Sequence, residues 1–163
     1  MSVLKRKILI GVIILIIVIG IENKFLTRTL ILLNSGIVRI SSIEESTGGP
    51  IYQVIFGTDI EGKQKVIWIK RKFYIIPQIV YSIDLEKGIA KDKAIEIANE
   101  EEITEISRVQ LQYVPSFIRG LGGLREGVYW FIEDKNQTYI YIDFITGDKI
   151  KKASTTKEYY YDY

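Results

Sequence analysis

The residue types that carry most protein chemistry are scarce in this chain. Among its 163 residues there is no His and no Cys. Thiol nucleophiles, iron–sulfur clusters, cysteine-based zinc sites and Ser-His-Asp catalysis are excluded on that count. So is the side chain that most often serves as general base near neutral pH. Carboxylates, Lys, Tyr and Ser remain. Glu100, Glu101 and Glu102 form an acidic run, but one local run lacks the loop geometry that Ca²⁺ requires. Asp143, Thr146 and Gly147 have the spacing of a hairpin turn with local side-chain hydrogen bonds, not of a metal or catalytic cluster. Gly120-Leu121-Gly122-Gly123-Leu124 has the composition of a phosphate cradle. A cradle leads into a helix N-terminus, whereas this stretch leads into a strand-like run at Val128. No spacing supports a paired-carboxylate hydrolase. No catalytic, cofactor-binding or metal-ligating residue is therefore assigned, and the chain reads as a binding or structural protein rather than an enzyme.

Two groups are candidates for contact with a partner. Phe117, Ile118, Leu121 and Leu124 are apolar in a stretch expected to be a surface loop. Such residues either mark a partner site or tuck back onto a sheet. Lys70, Arg71 and Lys72 form a basic run followed by Phe73 and Tyr74. It would meet anionic headgroups or wall polymers, or it is a solvated strand end. Trp68 and Trp130 are expected in the core with one edge near the surface.

The elements that hold these residues follow from charge and periodicity. Residues 1–33 hold five basic side chains against one acidic, and residues 34–163 hold 17 against 19. The mildly acidic body argues against nucleic acid, which needs a basic face. Ile8–Ile21 is a run of 14 uncharged residues directly after Lys5, Arg6 and Lys7. Its length suits a signal peptide, since an uncleaved span needs roughly 20 apolar residues. The first Ala of the chain is Ala90, so no Ala-x-Ala cleavage site follows the run. The apolar pattern also resumes at Phe25. The expectation is an uncleaved anchor, with Lys24 and Arg28 snorkelling and the N-terminus in the cytoplasm.

From Ile51 onward the pattern is mostly strands. Tyr52–Thr58 and Lys65–Arg71 alternate around a turn at Asp59–Gly62 and form a hairpin. Ile75–Ile83 contains Pro77, which confines it to a sheet edge or delays its start. Lys91–Glu102 reads as a helix with Ala94, Ile97 and Ala98 on one face. Glu105–Val114, Val128–Ile132, Thr138–Phe144 and Asp148–Lys152 follow as strands. The hairpins at Ile51–Ile69 and Val128–Ile142 share an order, so the body reads as two similar units. The expected fold class is α+β: an N-terminal transmembrane helix, then two small units, each a helix packed on an antiparallel sheet. The boundaries are residues 1–34 for the basic stub and anchor, 35–87 and 88–152 for the units, and 153–163 for a Tyr-rich tail.

These residues resemble the membrane-anchored TseB-like or YpmB-like proteins, cell wall elongation regulators of low-GC Gram-positive bacteria. Three features carry the resemblance. One is the short anchor behind Lys5, Arg6 and Lys7. Another is Tyr52–Trp68, similar to the family's Y-x-V-x-x-G-T-D-x-x-G…V-W run. The third joins Gly88–Ala94, similar to a G-I-S-x-D-K-A helix start, to Tyr141–Ile150, similar to a terminal Y-x-D-F-x-T-G hairpin. The resemblance spans most of residues 1–152 and implies PepSY-like (cystatin-like) units. The chain departs from it at Ala90-Lys91, where the family offers a Ser or Thr cap, in the glycine-rich Gly120–Gly127 stretch and in the Tyr159–Tyr163 tail.

The resemblance implies no catalytic residues and no cofactor. It implies a membrane-bound, extracytoplasmic regulator of cell wall elongation that acts by protein contact, with a penicillin-binding protein as the expected partner. The bilayer would be engaged through residues 8–21 and their flanks. The alternative is a PepSY-type modulator or inhibitor of extracytoplasmic peptidases.

Overall fold

The computed structural model describes residues 35–46, 51–72, 76–115 and 124–154. In chain order the elements are β1 (Ile37–Ser46), β2 (Tyr52–Asp59), β3 (Gln64–Lys72), β4 (Ile76–Asp84), a single 3-10 turn (Leu85–Lys87), α1 (Lys91–Glu100), β5 (Ile106–Val114), β6 (Gly127–Asp134), β7 (Thr138–Asp143) and β8 (Lys149–Ser154). They form two four-stranded antiparallel sheets with the meander orders β1-β2-β3-β4 and β5-β6-β7-β8. β4 lies at a sheet edge, the position to which Pro77 is suited.

The β2–β3 turn is built by its own residues. Asp59 Oδ1 accepts the backbone N–H of Glu61 and of Lys63, each at 2.9 Å. Gly62 takes φ +84°, a value that side chains disfavour. The β7–β8 turn repeats the device. Asp143 Oδ1 accepts from Ile145 N at 2.8 Å and Thr146 N at 2.9 Å, and Gly147 has φ +77°.

The expected pair of helix-on-sheet units is not what forms. The described residues are dominated by antiparallel strands, and α1 is the one α-helix among them. The physical reason lies in which apolar faces meet. Period-two alternation runs through most of the body, so nearly every segment has an apolar strand face to bury. The two sheets bury those faces in one cluster. Tyr52, Val54, Val66, Trp68 and Ile83 from the first sheet join Leu111, Tyr113, Val128, Trp130, Ile132 and Ile142 from the second. Across the join Tyr81 stacks on Tyr113 with ring centroids 4.5 Å apart and planes 7° from parallel. Tyr113 also meets Trp68 and Tyr52, each at 6.2 Å. α1 adds Ala94, Ile97 and Ala98 to this shared core.

α1 ends at Glu100, two residues earlier than the acidic run extends. Glu102 turns into the left-handed region at φ 65°, and Ile103 N donates back to Ala98 O at 3.1 Å. Ile103 is fully buried, so the helix ends in a Schellman-type cap closed by an apolar contact. The transmembrane helix expected over Ile8–Ile21 falls outside the described residues. Among the described residues no helix is long and apolar enough to cross a membrane.

Candidate functional site

A cleft of about 610 Å³ opens where the chain passes from the first sheet to α1. Phe56 of β2, Leu85 of the 3-10 turn, Ile89, and Trp130 of β6 supply its apolar lining. Gln64, Glu86 and Lys91 add polar groups. Each sheet therefore contributes one aromatic ring, and the crossover residues form the wall between them.

That wall is held in place by close packing. Gly88 is extended, with φ −134° and ψ −176°. Any Cβ there would lie 2.3 Å from the Phe144 carbonyl oxygen and 2.4 Å from its ring, so only glycine fits. Ile89 N donates to Phe144 O at 2.8 Å, and Trp130 Nε1 donates to Ile89 O at 3.0 Å. Trp130 is thus both a lining residue and the strut that fixes the crossover. Ala90 stands at the N-cap of α1 with no side-chain cap. The first-turn N–H groups beside the cleft are consequently left without that partner. The cleft thus combines an apolar floor with the polar groups of Gln64, Glu86 and Lys91.

Burial dominates the shifts of the tyrosine phenols. Burial, reinforced by the Glu126 carboxylate, pushes the Tyr113 phenol up to about 12. Its hydroxyl donates to Glu126 Oε1 at 2.8 Å. Burial also raises Tyr52, Tyr129 and Tyr141. These phenols stay protonated at neutral pH and are poor bases there. No trio of acidic side chains that could hold a metal ion is found among the described residues. Glu101 of the acidic run instead accepts from Lys149 Nζ at 2.6 Å.

Of the residues proposed from sequence, Leu124 and Lys70 do not line the cleft. Phe117, Ile118 and Leu121 lie outside the described residues. Leu124 is half-buried and packs against Val114, Tyr129, Phe131 and Tyr141 on the outer face of the second sheet. Lys70 is exposed on β3 opposite Gln78, and Arg71 and Lys72 continue that strand. The cleft itself escaped the sequence reading because its walls come from three separated stretches. Leu85, Glu86 and Gly88 of the crossover fall between the strand-like run Ile75–Ile83 and the helix at Lys91, where no periodicity marks a wall. Trp68 also departs from expectation. It is fully buried, with no edge at the surface, and its Nε1 has no hydrogen-bond partner.

No protein-family model matches the chain, and no curated protein matches it in sequence. Among solved structures it is similar to the YpmB protein from Bacillus subtilis, with a TM-score of 0.55. The two share 24% identity over 74% of this chain and 88% of that one. The chain thus has a YpmB-like fold.

Proposed function

We propose that this chain is a non-enzymatic, membrane-attached module that regulates cell wall elongation from the outer side of the membrane by binding another protein, with a penicillin-binding protein as the partner the family resemblance implies. The cleft carries this reading. Its aromatic floor is set by a crossover packed closely on Phe144 and hydrogen-bonded to it and to Trp130, and preorganisation of that kind favours binding. Two further observations support it. The basic cluster at Lys5–Lys7 and the apolar run Ile8–Ile21 have the order of a cytoplasm-in anchor. The YpmB-like fold agrees with the family whose motifs the sequence resembles.

The test is photocrosslinking from the full chain in intact cells. A photoreactive residue at Glu86, beside the cleft, should capture a membrane-bound wall-synthesis protein, and one at Lys135, in the β6–β7 turn, should not. Repeated failure at Glu86 to recover any such protein would sink the proposal.

A further inference from the structure

β1 forms one edge of the first sheet, and β4, β5 and β8 are the other edges. The unpaired N–H and C=O groups of an edge strand are a template for another strand, and proteins blunt such edges with lysine, proline, bulges or cover. β8 carries Lys149, Lys151 and Lys152, and β4 carries Pro77. β5 lies against β1, where Gln110 Nε2 donates to Glu45 O at 2.9 Å. β1 has neither Lys nor Pro over its ten residues, and its protection is limited to two bulges. Its positions 38, 39 and 41–45 are exposed, and Val38 and Ile43 are each 56% exposed.

The register of β1 makes it complementary to itself. Ser41 is an extra residue in the ladder, between Ile40 opposite Gly57 and Ser42 opposite Phe56. That bulge resets the alternation. Arg39 lies opposite Thr58 and Glu44 opposite Val54, which places both on the face toward the shared core. Ile40 lies opposite Gly57 and Ile43 opposite Ile55, which places both on the other face.

We propose that β1 pairs antiparallel with β1 of a second copy, about a two-fold axis between Ser41 and Ser42. In that register Arg39 meets Glu44 of the second copy and Ile40 meets its Ile43, each pair on one face. Opposite charges directly across a strand pair attract, and like charges there repel. Among the described residues no ion pair within the monomer engages Arg39 or Glu44. The Gln110 bond at Glu45 and the second bulge, between Ile37 and Arg39, confine the pairing to residues 39–44. The dimer is therefore weak and reversible.

The test uses the full chain in detergent. Because the chain has no Cys, Ser42→Cys introduces a single thiol. Two such thiols lie on one face and one residue out of step, within reach of a disulfide. Mild oxidation should link Ser42→Cys into a dimer and leave Lys135→Cys monomeric. In sedimentation equilibrium, Arg39→Glu should raise the dimer dissociation constant about tenfold by turning two attractive pairs into repulsive ones. Adding Glu44→Arg should restore the original value. A monomer at every concentration overturns the proposal and leaves the edge to a strand of some other protein. Equal crosslinking at both cysteines, or a double reversal that fails to restore association, also overturns it.

Discussion

Asp59 closes the β2–β3 turn with one carboxylate. Besides the two backbone N–H groups, Lys65 Nζ reaches its Oδ2 at 3.2 Å. Burial by itself would raise the acid's pKa, but the N–H of Lys63, the Lys65 ammonium and the N–H of Glu61 outweigh it and hold the pKa below the ordinary carboxylate value. A depressed folded-state pKa stabilises the fold above the unfolded pKa of about 3.9, and the stabilisation is lost as pH falls through the folded value. Urea denaturation from pH 7 downward should therefore show stability falling most steeply below about pH 4. Asp59→Asn should flatten that limb, and an unchanged limb would remove Asp59 as its source. The turn is legible from Asp59-Ile60-Glu61-Gly62 because its hydrogen bonds are local. The missing partners of Trp68 Nε1 and Gln112 Nε2 are not legible, since each depends on residues brought in from distant strands.

At the scale of elements, α1 begins without a cap. Ala90 already has the extended conformation of an N-cap, with φ −67° and ψ 158°. Ala90→Ser supplies the missing acceptor and should stabilise the protein by about 1 kcal/mol, read as a higher urea midpoint at unchanged slope. An unchanged midpoint would mean that the serine hydroxyl does not reach the first-turn donors. The helix was legible because Ala94, Ile97 and Ala98 recur at helical spacing. β1 was not, because two bulges interrupt its alternation. Its apolar residues Ile37, Ile40 and Ile43 recur every third position rather than every second.

At the scale of the whole molecule, the shared core ties the two sheets into one cooperative unit. Trp68 lies in the first sheet and Trp130 in the second, and both belong to the same cluster. Trp68→Phe leaves Trp130 as the reporter, and Trp130→Phe leaves Trp68. Within each variant, tryptophan fluorescence and far-ultraviolet circular dichroism should give superimposable urea transitions, as two-state unfolding requires. A fluorescence transition that separates from the loss of sheet signal would show that the sheets unfold independently. Units of about 60 residues bury too little surface to be secure alone, which is why the sheets gain from burying their faces on each other.

The absence of His and Cys, the uneven charge and most of the hairpins are legible in the sequence, because residue type, local turns and period-two alternation are properties of short stretches. Tertiary structure decided that the two sheets share a core and that a cleft lies at the crossover. Alternation shows that a strand has an apolar face, but not which surface covers it. Phe56, Ile89 and Trp130 become neighbours only when the crossover is stapled to Phe144.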